Sequence, residues 1–188
     1  AVALNDGRPD ALRTEAMRMI VEWELPSPVD PIHGAWFPLV PRDVTFLNEL
    51  AVEMSATITD APDDVVRPWV ELAGALKLRT LEPLMAELCA DTSRPGATRG
   101  AALGALEAVF SKHYIPAVEA GVDDPDPVFR AVCLEELPEL PGSKSIPVFE
   151  RMLASESVTD RRAVYSALAN CGLDEAAELL AAEFAMLQ

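Results

Sequence analysis

Apolar residues recur along much of this chain at offsets of three and four, the spacing of a helix with one buried face. Leu81, Leu84, Met85, Leu88 and Cys89 form such a stripe. Alternating apolar and polar runs of strand length are almost absent, so the pattern predicts an all-α fold. Three stretches open on one phrase: Leu81-Glu82-Pro83-Leu84-Met85, Tyr114-Ile115-Pro116-Ala117-Val118 and Ser145-Ile146-Pro147-Val148-Phe149. Their prolines are 33 and 31 residues apart. Proline suits the first helical turn, where its missing N–H has no intrahelical partner in any case. A fourth copy keeps the stripe without the proline: Leu173, Ala176, Ala177, Leu180, Phe184 and Leu187.

A second phrase alternates with the first. Arg99 is followed by Ala102, Leu103 and Leu106, Arg130 by Cys133, Leu134 and Leu137, and Arg161 by Val164, Tyr165 and Leu168. Two phrases of one period, out of phase, describe a repeated helix–turn–helix unit. Turn residues fall between them at 91–96, 123–127, 141–143 and 171–172. Further back, Arg67 precedes Trp69, Val70 and Ala73. A helix is marked by Val44, Leu47, Ala51, Met54 and Ile58. Arg13, ahead of Ala16, Met17 and Ile20, opens the earliest helix. The gap between Arg13 and Arg67 exceeds one period. The excess falls in 26–43, a stretch with five prolines and a glycine. Long insertions in repeat arrays map to loops, often on one face. The expected organisation is a single repeat domain over 1–188 of about five hairpins. The outer ones are incomplete, and the chain reads as a fragment of a longer protein.

An Asp/Pro-rich turn, then Val and Arg, then an Ala/Leu helix resembles the HEAT repeat. The phrases are Asp126-Pro127-Val128-Phe129-Arg130-Ala131-Val132 and 97–106. The resemblance is good over 61–188 and looser over 8–60. It implies a right-handed α-solenoid of the armadillo type, with the second helices lining its concave side. A narrower likeness lies at the front: Arg13-Thr14-Glu15-Ala16, Trp23, Pro26-Ser27-Pro28, Asp30, Gly34-Ala35-Trp36-Phe37-Pro38-Leu39 and Pro41-Arg42-Asp43. These residues resemble the HEAT segment of large planctomycete-type multidomain proteins. That likeness implies a preceding sugar-dehydrogenase-like propeller, a following c-type haem domain and an extracytoplasmic (periplasmic) setting. Without it the expected compartment is the cytoplasm. This chain carries no C-x-x-C-H and so attaches no haem itself.

Composition narrows the chemistry. Fifteen basic residues against thirty-one acidic ones give a net charge of −16, which repels nucleic-acid backbones and anionic lipid. No apolar run is long enough to span a bilayer. Cys89, Cys133 and Cys171 are scattered and fall on apolar stripes, as buried thiols do. The two imidazoles, His33 and His113, lie far from any cysteine, so no zinc-ligand spacing exists. The acidic clusters do not follow the calcium-loop pattern, and phosphate-loop and serine-hydrolase motifs are absent.

No catalytic, cofactor-binding or metal-binding residue is therefore expected, and the chain is read as a non-enzyme. The candidate partner-binding residues are His33, Trp36, Phe37 and Arg42 in the insertion. Trp36 and Phe37 either anchor a partner or tuck the insertion against the end of the array. The repeated Arg13, Arg67, Arg99, Arg130 and Arg161 are read as a structural ladder reaching acidic groups or carbonyls of neighbouring turns. Asp63 and Asp126, four residues before their arginines, are the expected partners. The expected function is a protein–protein or interdomain scaffold, whose partner is another protein or a flanking domain. The alternatives are a purely structural spacer or an enzyme of the bilin-lyase-like type on the same scaffold. Two other HEAT-scaffold enzyme classes do not fit. A di-iron hydroxylase needs repeated His-Glu pairs, and a DNA glycosylase needs a basic groove.

Overall fold

A computed structural model describes residues 2–30, 32–140 and 145–186. The expected turn at 141–143 and the stripe residue Leu187 lie outside them. Ten α-helices occur among the described residues: α1 (Asp10–Val21), α2 (Thr45–Met54), α3 (Asp63–Ala75), α4 (Glu82–Ala90), α5 (Gly96–Ala108), α6 (Tyr114–Gly121), α7 (Pro127–Glu136), α8 (Ser145–Leu153), α9 (Val158–Asn170) and α10 (Asp174–Met186). The fold is all-α. Extended pairing among the described residues is limited to one isolated bridge, between Val29 and Trp36.

The odd-numbered helices pack in series, α1 on α3, α3 on α5, α5 on α7 and α7 on α9. The helices α2, α4, α6 and α8 each pack on the odd helix that follows, and α10 packs on α9 and α8. The apolar stripes supply the interface. Val66, Trp69, Val70 and Ala73 of α3 are fully buried, as are Ala102, Leu103 and Leu106 of α5. Burying each of the larger side chains contributes about 2 kcal/mol. Trp69 also needs a partner for its indole N–H, and donates it to the Ala51 carbonyl at 3.1 Å.

Helix entry follows a common rule. The residue before α1, α3 and α5 is a proline (Pro9, Pro62 and Pro95) in extended conformation. Side-chain caps replace it further on. Asp126 accepts from the Val128 amide at 2.8 Å, and Ser157 accepts from the Asp160 amide at 3.2 Å. The exits of α3 and α5 share a left-handed residue, Lys77 (φ 53°) and Phe110 (φ 55°). The amides of Leu78 and Ser111 reach back to the carbonyls of Ala73 and Leu106. Glycine takes the same conformation after α9, at Gly172.

Glycine permits a close backbone approach where α3 crosses α5. A Cβ on Gly74 would stand 2.9 Å from the Ala105 Cα, so only a residue without one allows this approach. No helix among the described residues is long and apolar enough to cross a membrane.

Candidate functional site

The proline-rich segment folds back on itself as a short hairpin between α1 and α2. The Phe37 amide donates to the Pro28 carbonyl, and the Asp30 amide to the Ala35 carbonyl, both at 2.8 Å. The Gly34 amide returns to the Asp30 carbonyl, and Gly34 itself takes φ 65°, a conformation that favours glycine. Asp30 organises the turn. Its carboxylate accepts the Ile32 amide at 2.8 Å and meets the His33 Nδ1 at 2.9 Å. Those contacts, the Ile32 amide first and His33 second, hold the Asp30 carboxyl below its usual range.

The hairpin is fastened at its base. The Arg42 amide donates to the Glu24 carbonyl at 2.9 Å, and Trp23 Nε1 donates to the Asp43 carbonyl at 3.0 Å. The Trp23 ring meets Phe46 edge-on at 5.3 Å, and the Arg42 guanidinium lies 4.9 Å over the same ring. Trp23 is thus half-buried and clasps the two ends of the insertion. Asp43 accepts from the Thr45 amide at 3.0 Å, just ahead of α2, and this bond lowers its carboxyl's pKa.

The fastened base leaves the apolar tip uncovered. Trp36 is 66% exposed and Phe37 56%, so neither seals the first hairpin. Ile32 and Val40 are each 83% exposed. The outer face of α1 adds Leu12 and Met19. A groove of about 340 Å³ lies between α1 and the base of the hairpin, with Met19, Trp23, Val29, Arg18 and Arg42 among its lining. Of the nineteen large apolar side chains exposed among the described residues, thirteen lie before residue 53. The front of the molecule therefore differs in kind from the rest of its surface. His33 stands exposed at the hairpin turn, and Arg42 is committed to Trp23.

The arginine ladder lies elsewhere, along the odd helices. Arg99, only 4% exposed, donates Nε to the Cys89 carbonyl at 3.0 Å. Its two terminal nitrogens meet the Asp124 carboxylate at 2.9 and 2.7 Å. That pairing, chiefly the hydrogen bonds themselves, lowers the Asp124 pKa and raises that of Arg99. Arg130 pairs with Asp160 through Nε at 2.9 Å and also donates to the Asp124 carbonyl. Arg13 reaches the Ala3 carbonyl at 3.1 Å, and Arg161 the Ser155 carbonyl.

Arg67 does not join them. The other four stand four residues after the residue that precedes their helix: Pro9, Pro95, Asp126 and Ser157. Arg67 is five after Pro62, and one residue on a helix is about 100° of rotation. Val66 holds the buried position instead, and Arg67 is exposed. The acidic partners also differ from those expected. Asp63 accepts from Arg94, in the turn before α5, at 3.1 Å. Asp126 caps α7 and accepts the Gly96 amide at 2.7 Å, while Arg130 turns to Asp160.

Cys89 and Cys133 are buried, and burial pushes their thiols up to about 11 and about 12. A thiol so far above neutrality is almost entirely protonated and is a poor nucleophile. Cys171 is half-buried. Among the described residues no three His, Cys, Asp or Glu side chains converge as a metal site would require.

The fold and this surface define an all-α protein of serially packed, repeat-like helices with one exposed apolar hairpin at its front. Comparison with protein-family models, curated proteins and solved structures finds no match to the chain.

Proposed function

We propose that the chain is a non-catalytic interaction module, a HEAT-type right-handed α-solenoid that docks another protein or a flanking domain through its front end. The observation that carries this reading is the concentration of exposed apolar side chains before residue 53, centred on Ile32, Trp36, Phe37 and Val40. A concentration of exposed apolar side chains of this kind costs free energy in water and is a mark of contact surfaces. The hairpin's fastened base supports the reading further. A surface already held in shape loses less conformational entropy on binding than a mobile loop does.

The solenoid reading rests on the repeat period, the serial packing of odd helices and the stitches between neighbouring repeats. In such arrays each unit contacts its neighbours, and the end units need a polar outer face to remain soluble alone. The front helix α1 instead exposes Leu12 and Met19, as a unit covered by something else does. The likeness of the front segment to the HEAT part of planctomycete-type multidomain proteins favours a flanking redox domain as that cover.

The test is an affinity isolation from the native host, comparing wild type with the triple variant Ile32→Ser, Trp36→Ser, Phe37→Ser. The wild type should carry one stoichiometric partner, or protect the hairpin against a domain of its own full-length chain. The variant should lose that contact while keeping its helical circular dichroism. Equal binding by both proteins would count against the proposal, as would absence of any stoichiometric contact.

A further inference from the structure

Natural interiors leave few gaps larger than a water molecule. Between α4 and α6 this molecule leaves a cleft of about 240 Å³. Its walls include Ala86, Ala117 and Ala120, whose short side chains leave the space unfilled. Its lining also includes Arg99, Asp124 and the ring of Phe129. All three are largely buried, and the Arg99 guanidinium lies 4.1 Å over the Phe129 ring.

We propose that this cleft is a binding site for a small uncharged ring compound carrying a hydrogen-bond acceptor, such as an aromatic amide. Size sets the first limit. An enclosed apolar cavity of about 150 Å³ accepts benzene, and this larger cleft, open to solvent on one side, has room for a ring with a substituent. Charge sets the second. Arg99 and Asp124 neutralise each other at the site, and His113, which also lines the cleft, is exposed to solvent, so the buried part of the lining favours neither sign of charge. The surrounding protein at −16 repels an anion. A cation finds no idle carboxylate, because Arg99 engages both Asp124 oxygens and Oδ1 also accepts the Asp126 amide at 2.9 Å.

Hydrogen-bond accounting sets the third limit. A guanidinium has five N–H donors. Arg99 commits three of them, to the Cys89 carbonyl and the two Asp124 oxygens. One donor remains on each terminal nitrogen, at opposite edges of the group, and a ligand carbonyl in the cleft would accept from one of them. The alanine walls receive the ring, as in ligand sites where a few polar groups fix orientation within an apolar lining. This site is separate from the front hairpin and does not depend on the docking role proposed for it.

The experiment is a titration of the folded protein with benzamide, followed by ¹H–¹⁵N correlation spectra. Benzoate and benzylamine serve as charged counterparts. Benzamide should give saturable shifts confined to the Arg99 side chain and the amides of 86–90 and 117–121. The charged analogues should bind at least about tenfold more weakly. Ala120→Leu at the exposed mouth and Ala117→Leu deeper in should each weaken benzamide by a similar factor, their spectra reporting whether the fold is kept. Non-saturating shifts, or shifts scattered over the surface, would overturn the site. Equal binding of benzoate would overturn the stated ligand class. Undiminished binding by a folded Ala120→Leu protein would overturn the location.

Discussion

Arg99 and Arg67 look interchangeable in a one-line reading of the chain, each followed by an apolar helix. Their offsets separate them. Arg99 precedes its apolar residues by three, four and seven positions, whereas in α3 those offsets belong to Val66. The register was therefore present in the sequence, and only the approximate period hid it. The choice of acidic partner was not. Asp124 and Asp160 come to Arg99 and Arg130 across neighbouring units, 25 and 30 residues away. Local spacing favours Asp126 and Asp63, which the fold uses for a helix cap and for Arg94. Two consequences follow at this scale. Arg99→Ala should lower the unfolding free energy by about 3 kcal/mol in urea, because it leaves the largely buried Asp124 carboxylate with the Asp126 amide as its remaining hydrogen-bond donor. Arg67→Ala should stay within about 0.5 kcal/mol of wild type, as exposed substitutions do. The Asp124 carboxyl is ionised more readily in the folded state than in the unfolded one. Its contribution is thus complete above its ordinary value near 4 and is lost as pH falls through the lower folded value. Asp124→Asn should be destabilised at neutral pH, and its stability should fall less steeply than that of wild type between about pH 4 and pH 2.

Among the elements, the proline and stripe signals gave all the later helices, because both arise from local chain geometry. The pairing between elements required packing information. Gly74 reads as a weak point in a helix until α5 is seen to cross it. Gly74→Ala should cost about 1–3 kcal/mol, since the Ala105 backbone must retreat from the new Cβ. Gly104 lies exposed in α5 with open space around its absent Cβ. Gly104→Ala should stabilise by about 0.5–1 kcal/mol through helix propensity alone. Thermal melts of the two variants should therefore move in opposite directions. The insertion was legible as a proline-rich interruption, but its hairpin was not. The bridge between Val29 and Trp36 rests on backbone bonds that no periodicity encodes. The same is true of the bond by which the Trp23 indole fastens the hairpin to Asp43.

At the scale of the whole molecule, charge and apolar exposure divide the labour. The net charge of −16 keeps most of the surface solvated and self-repelling. The front, with the hairpin and the outer face of α1, departs from that rule. The central claim is that this front is a docking surface. Its most direct measurement is photo-crosslinking in the native host, with a photoreactive residue at position 36 in one sample and position 119 of α6 in another. Both positions are exposed, so accessibility alone does not favour either. A discrete crosslink from position 36 that disappears with Phe37→Ser, and none from position 119, is the predicted result. Crosslinks of equal yield from both positions, or none from position 36, would contradict the account.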